Sequence, residues 1–309
     1  MTDIIATDKP KVLIKRASIE IDGRCNYRCT CCPQSYEGGR EKEFLVQYDF
    51  NKFVSLLDQM EGLEVVNLEG SGEPTLNKEL PRYIAELTRR GVKSMIYTNG
   101  LKFKGYFMEE CFDSGLSYAR FSILGYNPET YHKIMGKDKW YKVLDNMQAA
   151  VEYSYGNVGV YHLLQGDSEY EMKMYKRIAL GFNVLSEVWK YHNWAGTYET
   201  VRQGKRRTCG RPSSPSLTVR ANNTVVPCSN VLGVDSTAVM GSLDESSLYE
   251  ISNGDKYNEL RDAHTSGNYD TISYCKNCDF LYDDNEVLVW TNSDDVMLNR
   301  MKGVSFKLR

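Results

Sequence analysis

No stretch of this chain is apolar for long enough to cross a membrane, and Met1 to Lys15 lacks the apolar core of a signal peptide. Membrane insertion and secretion are therefore not expected, and a cytoplasmic location with reduced thiols is. An excess of basic charge is also missing. The 38 Lys and Arg against 41 Asp and Glu leave a net charge of -3, too little positive surface to displace phosphate counterions, so no nucleic-acid partner is expected. Internal repeats and low-complexity tracts are absent. At 309 residues the chain buries enough surface to need no covalent staples, so its nine cysteines are not a disulfide scaffold.

What is there is a tight cysteine cluster. Cys25, Cys29 and Cys32 form C-x3-C-x2-C within the run Arg24-Cys-Asn-Tyr-Arg-Cys-Thr-Cys-Cys-Pro33. Three thiolates at this spacing can cover one face of a cubane cluster and leave its fourth iron without a protein ligand. On these residues the sequence resembles the radical S-adenosylmethionine (SAM) enzymes. The resemblance implies a [4Fe-4S] cluster whose open iron chelates the methionine part of SAM. It further implies one-electron cleavage of SAM to methionine and a 5'-deoxyadenosyl radical, which takes a hydrogen atom from the substrate.

Through the first two thirds of the chain, short β-rich runs alternate with helical patterns, which marks an α/β fold with a parallel sheet. Strands are expected near Ser18-Asp22, Val65-Gly70, Lys93-Thr98, Tyr118-Leu124, Val158-Gln165 and Val184-His192, with helices near Phe50-Met60, Leu80-Arg90, Trp140-Tyr155 and Glu169-Gly181. Six units fall short of a closed eight-fold barrel. They match the partial (β/α)6 TIM-like barrel of the family, with the site beyond the C-terminal strand ends. After Arg202 the pattern changes: Leu217 to Val226 reads as a hairpin turning at Asn222-Asn223, followed by a helix near Asp255-His264. A boundary near Val201 divides a barrel domain, 1–201, from a small α+β domain, 202–309.

The resemblance also assigns SAM contacts. Leu68-Glu-Gly-Ser-Gly-Glu-Pro74 ends the second strand and matches the family's GGEP motif, with Ser71 in place of the first paired glycine. Gly70 and Gly72 allow close backbone approach, Pro74 ends the strand, and the carbonyls can accept from the SAM ammonium, with Glu73 adding charge. Asn99, in Thr98-Asn99-Gly100, and Ser122 stand where the family contacts SAM. Cys31 takes a position that is usually bulky and lies against the adenine, so it contributes less stacking area.

A second set, Cys209, Cys228, Cys275 and Cys278, is spaced C-x18-C, then 46 residues, then C-x2-C. Four thiolates suit either a structural zinc or a fully ligated cluster. Order and spacing resemble the twitch form of the SPASM domain, which implies a second, auxiliary [4Fe-4S] cluster. Cys111 lies apart in a helical stretch and reads as a core residue.

For function, the four-cysteine arrangement is similar to that of the aminocyclitol dehydrogenases, which implies oxidation, or rearrangement, of a small polyol or sugar-like molecule. The rival is modification of a ribosomally made peptide by crosslinking or epimerisation. Against it stands the short segment of 24 residues before Cys25, where many peptide enzymes carry a binding wing. A third reading is a non-catalytic iron-sulfur scaffold that binds SAM. His162, Asp167, Tyr191 and His192 fall at or beyond strand ends, where a base could stand. A flavodoxin- or ferredoxin-like electron donor is the expected partner besides the small-molecule or peptide substrate. Lys205-Arg206-Arg207 is either a solvated linker or its docking patch.

Overall fold

Six strands alternate with helices as the sequence predicts: β1 Arg16–Ile19, β2 Val65–Leu68, β3 Lys93–Thr98, β4 Leu116–Ser122, β5 Val158–Leu164 and β6 Leu185–Lys190. The computed structural model describes residues 10–35, 42–164, 166, 168–198, 204–231, 238–282 and 288–292. The six strands run parallel and lie side by side in chain order. All four residues of β2 are buried, as a strand covered on both faces requires.

The covering layer is α1 Phe50–Asp58, α2 Leu80–Arg89, α3 Gly105–Asp113, α4 Pro128–Met135, α5 Trp140–Ser154 and α6 Glu169–Phe182. Their starts follow capping chemistry. The Asp49 side chain accepts from Lys52 N at the start of α1, and Asn127 with Thr130 forms a capping box on α4. Gly136, at φ +67, ends α4 in the left-handed conformation a helix C-cap favours. Cys111 is fully buried in α3.

The C-terminal part extends the same sheet. Strand β7 Ser216–Val219 adds parallel to β1, in register from Arg16↔Ser216 to Ile19↔Val219. A hairpin at Asn223, φ +66, then leads antiparallel into β8 Thr224–Val226, against which β9 Gly241–Ser242 pairs. At the far edge β10 Leu288–Thr291 pairs antiparallel with β6. The result is ten strands in one open order, β9-β8-β7-β1-β2-β3-β4-β5-β6-β10. Helices α7 Leu248–Asn253, α8 Asp255–Ser266 and the short α9 Ser273–Lys276 complete the C-terminal part. The boundary expected near Val201 lies outside the described residues. Among the described residues no helix is long and apolar enough to cross a membrane.

Candidate active site between two cysteine sets

Beyond the C-terminal end of β1 the chain turns into the first cysteine loop. Arg24 anchors its entry by a forked pair to Asp22, Nε to Oδ1 at 2.9 Å and Nη2 to Oδ2 at 2.7 Å. The loop is pinned from two more sides. Thr30 N donates to Ile134 O at 2.8 Å, while Trp194 Nε1 donates to Cys31 O at 2.8 Å and Tyr198 Oη to Cys32 O at 2.9 Å. Cys25, Cys29 and Cys32 are half-buried and line one large cavity. Burial pushes the Cys25 thiol up to about 12, with the nearby Glu73 carboxylate adding to the rise. Cys29 is raised well above the usual range by burial, then by Cys31, Cys32 and Cys25. Thiols raised in this way ionise readily only with a cation beside them, a charge that an iron cluster would supply.

The Gly70 to Pro74 turn packs directly onto this loop. A Cβ on Gly70 would stand 2.4 Å from the Glu20 side chain, and one on Gly72 would stand 1.8 Å from the Asp22 carbonyl oxygen. The two glycines thus serve the approach of one loop to the other. Glu73 N donates to Arg24 O at 2.7 Å, and Gln34 Nε2 bridges Gly23 O at 2.9 Å and Ser71 O at 2.6 Å. The Glu73 carboxylate accepts from Thr75 N at 3.1 Å, Thr75 Oγ1 at 2.6 Å, Thr98 Oγ1 at 2.6 Å and Asn99 N at 2.7 Å. Burial raises its pKa, and these four donors oppose the rise. Its geometry is that of a tie between the second and third strand ends. Asn99 continues the tie through Nδ2 to Asn26 Oδ1 at 2.8 Å. Ser71 Oγ, by contrast, is buried without a partner in a residue that lines the cavity.

The cavity measures about 510 Å³, within the range of small-molecule sites. Ser71, Glu73, Asn99 and Ser122 all line it. Its floor is polar. Glu69 accepts from Ser18 Oγ at 3.0 Å and from Asn67 Nδ2 at 3.3 Å, and Asn67 Oδ1 is buried without a partner. Arg120 on β4 lies 3.5 Å over the Tyr97 ring and pairs with the buried Glu187 at 2.7 Å. Its Nε has no partner. Sequence reasoning missed this pair, although a charged residue inside a buried strand is itself a signal.

Of the four candidate bases, the structure brings Tyr191 and His192 to the cavity wall. His162 is corrected. Strand alternation turns Tyr161 and Leu163 inward and leaves His162 in the helix layer, stacked on Tyr175 at 4.2 Å with Nδ1 2.8 Å from Ile123 O. Burial lowers its pKa to about 4, so it stays neutral, away from the cavity lining. Asp167 lies outside the described residues.

Cys209, Cys228 and the Cys275–Cys278 pair come from three separate chain segments. Burial and neighbouring charge raise Cys278 to about 12, and burial raises Cys275, with Cys228, Cys278 and Cys209 adding to the rise. Among the described residues no three His, Cys, Asp or Glu side chains converge closely enough for a single metal ion; thiolates on separate irons of a cubane stand farther apart than that. Cys275 Sγ lies 3.5 Å from His264 Nε2. Arg206 is drawn inward to Asp270 at 2.7 Å and to the carbonyls of Cys275 and Lys276, at 3.2 and 2.9 Å, which removes it from any solvated basic patch. Cys228 lines the same cavity as Cys25, Cys29 and Cys32. Asn193 staples the two regions: its N donates to Asp279 Oδ2 at 2.9 Å and its Nδ2 to Asn277 O at 2.6 Å, one residue before Trp194 reaches Cys31.

Residues 19–203 match the profile of the Radical SAM superfamily, and residues 209–279 match the SPASM profile, an iron-sulfur cluster-binding domain. Curated relatives include the GTP 3',8-cyclase of Psychromonas ingrahamii, 28% identical over 161 residues, which cover 51% of this chain and 47% of that protein. The GTP 3',8-cyclase of Yersinia pestis is 30% identical over 152 residues, covering 48% and 46%. The chain thus spans about half the length of the curated relatives it matches. Among solved structures, BtrN in complex with AdoMet and 2-DOIA aligns with TM-score 0.63 and 20% identity over 91% of this chain and 99% of that one. Streptococcus suis SuiB bound to precursor peptide SuiA aligns with TM-score 0.66 and 15% identity over 87% and 70%. At these identities the two structures share the fold.

Proposed function

The chain belongs to the Radical SAM superfamily, and from that premise we propose that it oxidises a small polyol or sugar-like molecule at a carbinol carbon. The radical SAM domain implies a [4Fe-4S] cluster and SAM, and the SPASM domain an auxiliary cluster. The residues present fit these groups: two sets of buried or half-buried thiols, among which burial raises Cys25 and Cys275, and an unpartnered Ser71 Oγ beside the first. When bound, SAM and the first cluster supply hydrogen-atom abstraction, and the auxiliary cluster supplies a one-electron acceptor.

The chain's own residues take the remaining roles. Cys25, Cys29 and Cys32 hold the first cluster, and Cys209, Cys228, Cys275 and Cys278 the auxiliary one. Gly70 to Pro74, Asn99, Ser122 and the backbone of Cys31 face SAM. Residues 1–201 carry the first site and 202–309 the second. Asn67 Oδ1, Arg120 Nε and the Glu69 carboxylate offer the acceptors and donors that hydroxyl groups need. His192 Nδ1 accepts from Trp194 N at 3.4 Å, so that nitrogen is already engaged. Burial raises the Tyr191 phenol, so it keeps its proton. Glu69, a carboxylate on the cavity floor, is the acceptor of the hydroxyl proton in this reading. A flavodoxin- or ferredoxin-like protein is the proposed source of the reducing electron.

One observation supports the reading: a cavity with a polar floor is lined by Cys25, Cys29 and Cys32 of the first set and by Cys228 of the second. The test is anaerobic turnover with SAM and reductant over panels of polyols, amino-polyols, GTP and peptides. The expected result is a ketone formed from a polyol in step with 5'-deoxyadenosine. Consumption of GTP or of a peptide instead would sink the polyol reading, and failure to cleave SAM with both clusters loaded would restore the scaffold reading.

A further inference from the structure

Arg211 stands where neither the fold nor the proposed reaction requires a cation. It follows Gly210, at φ +74, and opens the short turn Arg211–Ser213. Pro212 O accepts from Arg261 Nε at 3.3 Å, and Ser214 returns a hydroxyl to Arg211 O at 2.8 Å. This backbone lock aims the side chain back at the cysteines. The guanidinium lies 4.9 Å over the Phe280 ring, which packs in the same cluster as Cys209, Cys275 and Cys278, and Arg211 lines the cavity together with Cys228. Its Nη1 is shielded from water and makes no hydrogen bond. Among the described residues no carboxylate pairs with it.

A shielded guanidinium without an anion is costly, because its hydration has been lost and nothing replaces it. Of the carboxylates near the auxiliary thiols, Asp270 pairs with Arg206, and Asp279 Oδ2 accepts from Asn193 N. The anion that remains is the thiolate set. Four thiolates around an iron-sulfur cubane leave it net negative, and one unit more negative once it takes an electron. A fixed cation in contact stabilises the second state more than the first. The first site is built with the opposite sign: Glu73 is buried beside Cys25, and the guanidinium of Arg28 is exposed, with Nη1 3.0 Å from Cys25 O.

We propose that Arg211 is the positioning residue that makes the auxiliary site an electron acceptor, as the unpaired counter-charge of Cys209, Cys228 and Cys278 on the wall of the shared cavity. Arg211, Cys228 and Phe280 all line that cavity, so the cation also sits between the substrate's space and the acceptor. The inference deepens the proposed oxidation, which uses the auxiliary cluster as acceptor, but it is read without substrate. A failed polyol screen would leave it standing, and its own failure would leave the polyol screen untouched.

The experiment is a redox titration of the two-cluster enzyme, followed by the electron paramagnetic resonance of each reduced cluster, for wild type, Arg211→Gln, Arg211→Lys and Arg206→Gln, with iron counted in each. Arg211→Gln is expected to move the auxiliary potential to more negative values while the first cluster's potential stays put. Arg211→Lys, which keeps the charge, should stay near wild type. Arg206→Gln should move it less than Arg211→Gln, since Asp270 already compensates Arg206. An unmoved auxiliary potential in loaded Arg211→Gln overturns the proposal, as does an equal shift in Arg206→Gln. If Arg211→Gln does not load the auxiliary cluster, Arg211→Lys decides: a wild-type potential supports the role of charge, and a shifted potential overturns it. Loss of the cluster in both variants also overturns it, since Arg211 is then a strut whose shape matters rather than its charge.

Discussion

Replacing Cys25, Cys29 or Cys32 by alanine is expected to bring 5'-deoxyadenosine formation below detection while leaving about four irons per chain in the auxiliary site. The expectation rests on geometry as well as spacing. The three thiols line one cavity, and the loop that carries them is held by bonds to Ile134, Trp194 and Tyr198 that do not involve the sulfurs. Losing one sulfur therefore removes a ligand without unfolding the loop. The sharp case is Cys32. Cys31 is buried beside it and lines the same cavity, so it is the natural substitute ligand. Cys32→Ala should nevertheless be inactive and Cys31→Ala active, because Trp194 fixes the Cys31 carbonyl and Tyr198 the Cys32 carbonyl, which sets the loop's register. SAM cleavage surviving in Cys32→Ala and lost in Cys31→Ala would transfer the third ligand to Cys31.

The second large effect is expected at Gly72. A methyl group there would meet the Asp22 carbonyl oxygen at 1.8 Å and Gly23 C at 2.8 Å. Both are backbone atoms, so no side chain can swing aside. The turn would have to lift off the cysteine loop, and the bonds from Gly72 N to Glu20 Oε1 at 3.1 Å and from Glu73 N to Arg24 O would go with it. Gly72→Ala should cost about 4 kcal/mol or more in stability, at the top of the single-mutant range, and should abolish SAM binding. Gly91 provides the control. It has φ +71 but nothing within 4 Å of an added Cβ, so Gly91→Ala should cost only about 1–2 kcal/mol, the strain of a left-handed residue. Denaturant unfolding of both variants, with SAM binding measured on the loaded protein, checks the contrast. Equal costs would show that the loops do not need the close approach.

Much of this was legible because it is local. Period and turn chemistry placed all six parallel strands and the helices at Phe50, Leu80, Trp140 and Glu169, and the two asparagines marked the turn at Asn223. What failed to show is pairing at a distance. Leu217 to Val226 reads as a hairpin, yet nothing in those residues says that β7 joins β1 in parallel. Likewise Leu288–Thr291 is rich in strand formers, but its place beside β6 is set by tertiary packing. The start of α4 is written in Asn127-Pro128 and its end in Gly136. In the site, spacing found the cysteines and the Gly70 to Pro74 turn. It could not say that Glu73 spends its carboxylate on neighbouring loops, because those donors come from residues 75, 98 and 99. His162 went astray for a simpler reason: a strand end offers two faces, and only the alternation with Tyr161 and Leu163 decides which one reaches the cavity.

The central claim is that two iron-sulfur clusters serve one cavity, and the most direct test is iron, sulfide and zinc per chain in anaerobically purified protein, read beside 5'-deoxyadenosine formation under reductant. The account predicts about eight irons with matching sulfide, no zinc, and SAM cleavage. About four irons with one zinc and intact SAM cleavage would contradict it, leaving the C-terminal cysteines as a structural clamp and the oxidation without its electron acceptor.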